Sequence, residues 1–344
     1  MSAVLLNSPA PTSQAVDALG RRLHDLRVSV IETCNYRCPY CMPEGSTPEE
    51  TALDRSSRLS FGEIEAAVRA FVALGVRKVR LTGGEPLLRK DLPDLVARLA
   101  AIPGIEDLAL TTNGSLLARK ARLLRDAGLG RLTISLDALD PGIFRAMSGG
   151  RGNISDVLAG IRAAEEAGFE SIKFNTVVQR GINDGQVLPL VERFRGTPHV
   201  LRFIEYMDVG NCNGWRAADV VPSRELRDSI AMRWPLRPLT PSYRGEVAAR
   251  HGFEDGQGEI GFVSSVSSPF CGDCHRARLS ADGRLFTCLF AAKGSDLRPD
   301  IREGESALVE RIASVWSGRS DRYSELRHTG ARTSRKIEMF FIGG

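Results

Sequence analysis

Between residues 27 and 205 the chain repeats one pattern six times: a short β-branched apolar segment, a polar turn, then apolar residues at helical spacing. The strand-like segments are 27–31, 76–81, 108–111, 131–136, 172–178 and 199–205. The first helix is the best marked. Ser60-Phe-Gly-Glu63 is a capping box, and Phe61, Ile64, Val68 and Phe71 follow on one helical face. Further helices are expected near 92–101, 116–127, 153–167 and 184–194. Strands joined by helices lie parallel, with right-handed crossovers. Six units are too few for a closed eight-stranded barrel. The expected fold class is therefore α/β, an open partial (β/α)6 TIM-like barrel, with a doubly wound sheet as the alternative. Either fold gathers its chemistry at the carboxyl ends of the strands.

After about residue 210 the rhythm breaks. Segments 258–263 and 278–287 read as short strands, with Asp282-Gly283 as a hairpin turn, and a helix is expected over 306–317. The expected division is a mobile leader over 1–20, the barrel over 21–210, and a smaller C-terminal α+β domain over 211–344 ending in Gly343-Gly344.

The first strand runs into Cys34-Asn-Tyr-Arg-Cys38-Pro-Tyr-Cys41. Each iron of a cubane iron–sulfur cluster needs one ligand beyond the sulfides. Three cysteines on one loop hold three irons and leave the fourth open, and an open position marks a reactive metal site rather than a structural one. A zinc loop with a distant fourth ligand is the alternative. Cys271, Cys274 and Cys288 form a second triad at C-x2-C-x13-C spacing, where His275 offers a zinc knuckle as the competing reading. Cys212 stands alone and reads as an ordinary loop thiol. Seven cysteines in 344 residues, six of them grouped in two triads, read as metal-binding groups of a reducing compartment rather than a disulfide scaffold. With no basic leader and no long apolar run, the expectation is a cytoplasmic protein with no membrane contact. A net charge of +4, from 46 Lys and Arg against 42 Asp and Glu, does not suggest nucleic acid.

Thr82-Gly-Gly-Glu-Pro86 closes the second strand, and its two glycines allow close approach to the backbone. Cations recur on the strands: Arg27, Lys78, Arg80, Lys173 and Arg202, with Arg276 and Arg278 after the second cysteine pair. Charges inside a barrel must be paired or must meet a ligand. Pairing with Glu85, Asp137 or Glu205 is one outcome, and a polyanion gripped by arginine forks is the other. No P-loop is present.

The C-x3-C-x2-C loop followed by GGEP resembles the radical S-adenosylmethionine (SAM) superfamily. Within it, the chain resembles the GTP 3′,8-cyclases of molybdenum cofactor biosynthesis from about residue 21 to Gly344. The resemblance is carried by Leu26-Arg-Val-Ser-Val30, Arg80-Leu-Thr-Gly-Gly-Glu-Pro86, Leu110-Thr-Thr-Asn-Gly114, Ile134-Ser-Leu-Asp137 and Arg202-Phe-Ile-Glu-Tyr-Met-Asp208. Phe270-Cys-Gly-Asp-Cys-His-Arg-Ala-Arg278 and the Gly-Gly end complete it. One departure is Glu32-Thr33, where the family usually has Asp-Arg. The resemblance implies a lyase with two [4Fe-4S] clusters and SAM. Cys34, Cys38 and Cys41 would hold the SAM cluster, and Cys271, Cys274 and Cys288 the auxiliary one. Tyr40, Gly84, Ser135 and Met207 would contact SAM. Arg27, Arg80, Thr111, Lys173, Arg202, Arg276 and Arg278 would hold GTP. Arg27, Arg276, Arg278, Gly343 and Gly344 would serve catalysis. Implied partners are an electron donor such as flavodoxin or ferredoxin, the enzyme that takes the product, and a second copy of the chain. A radical SAM peptide-modifying enzyme with an auxiliary cluster is the alternative.

Overall fold

Eight parallel strands, two more than the six βα repeats supply, form the centre of one open twelve-stranded sheet. The computed structural model describes residues 14–45, 53–327 and 335–344. In chain order the elements begin with β1 (Asp25–Ser29), α1 (Phe61–Ala73), β2 (Lys78–Thr82), α2 (Leu92–Ala100), β3 (Asp107–Thr112) and α3 (Ala121–Asp126). They continue through β4 (Arg131–Ser135), α4 (Pro141–Met147), α5 (Ile154–Glu166), β5 (Lys173–Val178), α6 (Val187–Phe194) and β6 (Val200–Glu205). After β6 come α7 (Ser223–Ala231), β7 (Leu236–Pro238), β8 (Ala249–Phe253), β9 (Glu259–Val263), β10 (Arg276–Leu279), β11 (Arg284–Phe286) and β12 (Ser295–Asp296). The chain closes with α8 (Arg298–Glu303), α9 (Glu305–Ser317), α10 (Tyr323–Leu326) and α11 (Met339–Ile342).

Strand order is β12-β11-β10-β1-β2-β3-β4-β5-β6-β9-β8-β7. The sheet does not divide near residue 210. The later strands extend the same sheet at both edges, β10 pairing parallel with β1 and β9 with β6. The hairpin expected over 278–287 is present, β10 and β11 pairing antiparallel across Asp282-Gly283. Of the leader expected over 1–20, residues 1–13 lie outside the described residues. Residues 14–20 are docked rather than mobile. Ala15 N donates to Leu74 O at 3.1 Å, Leu23 N to Ala15 O at 2.9 Å, and Asp17 pairs with Arg21 in the interior.

The period of two along each strand decides what each face carries. Leu26 and Val28, Val79 and Leu81, Leu108 and Leu110, Phe174, Leu201 and Phe203 are buried in the core with α1, α2, α5 and α6. The alternate positions line a central cavity: Arg27, Arg80, Thr111, Lys173, Asn175 and Arg202 among them. Register then sets the cations side by side. Arg27 lies opposite Arg278 on one side and Arg80 on the other, and Asp25 lies between Arg276 and Lys78. α1 starts as the sequence indicates, with Ser60 and Glu63 closing a complete capping box.

Candidate active site

The cysteine loop after β1 is held by the turns that end the neighbouring strands. Gly84 N donates to Ile31 O at 2.7 Å and Glu85 N to Thr33 O at 2.8 Å. A Cβ on Gly83 would stand 2.3 Å from Ile31 O, and one on Gly84 2.2 Å from Thr33 O. The close approach that these glycines allow is therefore to the cysteine loop itself. Glu85 is not a free charge beside a ligand. Its carboxylate accepts from Thr112 Oγ1 (2.7 Å), Asn113 N (2.8 Å) and Leu87 N (3.0 Å). Burial pushes it up to about 7 against those bonds. Asn113 Nδ2 donates to Asn35 Oδ1 at 2.8 Å, and Arg37 Nη1 to Cys34 O at 2.7 Å. The Ser148–Gly152 segment clasps the same loop. Arg37 N donates to Ser148 O at 3.1 Å, and a Cβ on Gly149 would meet Arg37 O at 2.0 Å. Glu32, at the family's usual Asp position, is buried and forks with Arg58, Arg58 Nε donating to Oε2 at 2.8 Å.

Cys34, Cys38 and Cys41 line a cavity of about 140 Å³ together with Gly84, Tyr40, Ser135 and Asp137. Burial raises all three thiols, Cys34 to about 11, and the neighbouring thiols push Cys38 and Cys41 further. A cationic centre bound by all three relieves both effects, so the donor set fits an iron cluster. Tyr40 Oη donates to Asp137 Oδ2 at 2.7 Å, and Val177 N donates to Oδ1 at 2.9 Å. Burial raises Asp137 to about 6.

A larger cavity of about 270 Å³ adjoins the first, sharing Tyr40, Thr111, Ser135, Asp137, Met339 and Gly344. Met207 lines the larger one only. Cys271, Cys274 and Cys288 stand in its wall. Their frame comes from residues the sequence reading missed. Arg21 Nη1 donates to Cys271 O (2.9 Å) and Arg319 Nη1 to Cys274 O (2.6 Å), both arginines sharing buried Asp17. Burial raises Cys274, but Arg276 and Arg319 outweigh it and bring the thiol down to about 6. Among the described residues, neither cysteine triad gathers its three sulfurs within 4.8 Å of one another.

Arg27, Arg80, Lys173, Arg202, Arg276 and Arg278 all line the larger cavity. Among the described residues none of them has an ion pair, so the expected alternative of pairing with Glu85, Asp137 or Glu205 does not occur. Glu205 instead caps the backbone at Ser223 N (2.7 Å), Val266 N and Ser267 N (both 2.8 Å). Arg80 Nη1 donates to Thr111 Oγ1 (2.9 Å) and Thr133 Oγ1 (2.8 Å), and Arg276 Nη2 reaches Cys274 Sγ at 3.3 Å. Arg202 Nε and Arg278 Nε are buried without a partner. Burial, then mutual repulsion, lowers Arg27 and Arg278, Arg202 to about 9 and Lys173 to about 7. A row of cavity cations without an ion-pair partner is unfavourable alone and is relieved by a polyanion.

The tail enters between the two cavities. Phe340 and Ile342 on α11 are buried, and Gly344 lines both cavities. Lys336 Nζ donates to Asp208 Oδ2 at 2.9 Å and Asn211 N to Glu338 Oε1 at 3.0 Å, so the tail is clasped by the loop after β6. Cys212 donates to Glu338 Oε2 at 3.1 Å. The sequence gives no periodic signal for this clasp.

Residues 28–194 match the radical SAM superfamily, and residues 199–325 match Molybdenum Cofactor Synthesis C. The chain is similar in fold to the crystal structure of Streptococcus suis SuiB bound to S-adenosylmethionine, with a TM-score of 0.61 at 14% identity over 90% of this chain and 69% of that one. Among curated proteins it is 65% identical to a GTP 3′,8-cyclase of Xanthomonas campestris pv. campestris (strain B100), covering 95% of this chain and 97% of that protein. It is 53% identical to one of Acidothermus cellulolyticus, over 95% of this chain and 98% of that protein, and 41% identical to one of Staphylococcus saprophyticus, over 96% and 99%. With two cysteine triads on two adjoining cavities and these relatives matched nearly end to end, the chain belongs to the GTP 3′,8-cyclase family of the radical SAM superfamily.

Proposed function

We propose that this protein converts GTP to (8S)-3′,8-cyclo-7,8-dihydroguanosine 5′-triphosphate, the first step of molybdenum cofactor biosynthesis. The observation that carries this reading is the set of unpaired cations in a cavity walled at one place by Cys271, Cys274 and Cys288 and joined to another walled by Cys34, Cys38 and Cys41. A peptide-modifying enzyme has no use for six cavity cations without ion-pair partners, which disfavours that alternative.

In this reading Cys34, Cys38 and Cys41 would hold one [4Fe-4S] cluster and Cys271, Cys274 and Cys288 a second, and SAM bound at the first would supply the radical chemistry. Tyr40, Gly84, Ser135 and Met207 border the SAM. Arg27, Arg80, Arg202, Arg276, Arg278 and Lys173 bind the triphosphate and fix the ribose, with Thr111 presenting Arg80. Burial excludes water while the chemistry proceeds. A flavodoxin or ferredoxin as electron donor, the next pathway enzyme as acceptor, a homodimeric state and a cytoplasmic location complete the proposal. Among the described residues no helix is long and apolar enough to cross a membrane.

Anaerobic protein incubated with SAM, reductant and GTP tests the reading. Cyclised nucleotide and 5′-deoxyadenosine are expected in equal amounts, and omission of GTP removes the first. SAM cleavage with GTP left unchanged would overturn it. Arg276→Ala or Arg278→Ala should weaken GTP binding by about 1.5–3 kcal/mol, as for loss of a charge-assisted hydrogen bond, with Lys a poor substitute for the fork. Unchanged calorimetric affinity in the double variant removes both from the phosphate site.

Lys173 makes the binding pH-dependent. Its ammonium is brought down to about 7 by burial, then by Arg202, Arg131, Lys78 and Arg80. A bound triphosphate favours the charged form and raises that value, so binding takes up a proton above pH 7. GTP affinity should therefore fall as pH rises from 7 to 9, and Lys173→Arg should flatten that part of the profile. Calorimetry at pH 8 in two buffers of different ionisation enthalpy reads the proton directly, and equal heats in both would exclude Lys173 from contact.

A further inference from the structure

One cluster outside the cysteine triads has the spacing of a single metal ion. A ligand atom from each of His24, Asp25 and His275 lies within 4.8 Å of the others, and no other such trio of His, Cys, Asp and Glu occurs among the described residues. His24 Nδ1 stands 2.7 Å from Asp25 Oδ1, and His275 Nδ1 3.6 Å from the same oxygen. A second observation comes from His275. Its side chain is 9% exposed, and both ring nitrogens are buried without a hydrogen-bond partner. Buried polar atoms are normally satisfied, and an imidazole with two orphaned nitrogens lacks a ligand.

The backbone holds the three residues in place. Asp25 opens β1 and His275 immediately precedes β10, the parallel neighbour of β1. His24 N and Asp25 N both lie within hydrogen-bond reach of His275 O, at 3.2 and 3.1 Å. Tyr243 packs beside both imidazoles, with ring centroids 6.3 and 5.9 Å away. Gly245 lets that segment close down, since a Cβ there would meet His275 Cδ2 at 2.4 Å.

We propose that His24, Asp25 and His275 bind one divalent first-row cation of the zinc or iron(II) class. Two imidazoles and one carboxylate suit such ions and leave coordination positions for water or a ligand oxygen. Asp25 also borders the larger cavity, which His24 and His275 do not line. The competing cation is Lys78, whose Nζ lies 3.7 Å from Asp25 Oδ2. Lys78 keeps Asp107 at 3.8 Å and Tyr243 Oη at 3.0 Å when it yields Asp25. The site is separate from the auxiliary triad. Side chains alternate along extended backbone, and Arg276 rather than His275 reaches Cys274 Sγ.

The test uses protein carrying its iron–sulfur clusters, dialysed anaerobically against buffered zinc, with zinc, iron and sulfide measured per chain. Wild type should hold about one zinc beyond its iron, and His24→Asn and His275→Asn should each weaken zinc binding roughly tenfold or more with iron and sulfide unchanged. The His24 side chain is 37% exposed, so that variant does not threaten the fold. Zinc K-edge absorption should show nitrogen and oxygen neighbours only. No bound zinc, equal zinc in wild type and both variants, or sulfur around the zinc would each overturn the proposal.

Discussion

Alanine at Cys34, Cys38 and Cys41 together should halve the iron of anaerobically reconstituted protein, from about eight to about four per chain, and abolish SAM cleavage. The expectation follows from how separately the two triads are framed. The first sits on the loop leaving β1, held by Asn35, Arg37 and the turns after β2 and β3. The second is held by Arg21 and Arg319 through the carbonyls of Cys271 and Cys274. Among the described residues no hydrogen bond of one frame uses a residue of the other, so emptying the first should leave the second able to keep its iron. The thiols themselves carry little of the fold. Apart from two weak bonds to Cys34 Sγ, from Tyr36 N and Asn113 Nδ2, the loop is held by contacts that survive removal of sulfur, so secondary structure by circular dichroism should be unchanged. Iron and sulfide analysis with Mössbauer spectra reads the cluster count. One zinc and no more than one cluster in wild type would refute the two-cluster assignment.

The strands were legible because burial imposes a period of two, and each of the six expected segments became a strand within two residues. Helices at 116–127 and 184–194 are shorter than their periodicity suggests, because each begins with a 3₁₀ turn. α4 and α7 were missed, being brief and without a long apolar stripe. The six cavity cations were legible as charges on strand positions, yet their adjacency was not. That Arg278, Arg27 and Arg80 stand in one row depends on β10 joining β1, a pairing between residues about 250 apart in sequence that no local pattern encodes. The same pairing assembles His24, Asp25 and His275. The protein partners of Glu85 and of the glycines before it were not legible for a related reason. Those partners are backbone groups of the cysteine loop and the next turn, visible only when three strand ends converge.

Removing Gly343-Gly344 should leave iron content and fold intact while the cyclised nucleotide is largely lost and 5′-deoxyadenosine formation continues uncoupled. The anchor explains the first half. Phe340 and Ile342 stay buried, and Lys336 and Glu338 stay bound to Asp208 and Asn211, so docking of the tail does not need the last two residues. The packing explains the second. A Cβ on Gly343 would stand 2.4 Å from Thr82 Cγ2, at a φ of +74° that L side chains resist, and one on Gly344 would stand 2.6 Å from Met339 Cγ. Glycine is thus the residue that fits, and Gly344 fills the junction where both cavities meet. Without it the space between the radical source and the ribose admits water, and the substrate loses a wall that fixes its orientation. Misplacement of about 1 Å can cost two orders of magnitude in rate. Gly343→Val provides a second probe, because it keeps chain length but forces the tail out of the gap, and it should show the same uncoupling. The readout is the ratio of cyclised nucleotide to 5′-deoxyadenosine by chromatography, with wild type near one. A truncated protein that cyclises GTP at the wild-type rate would show that the glycines only fill space.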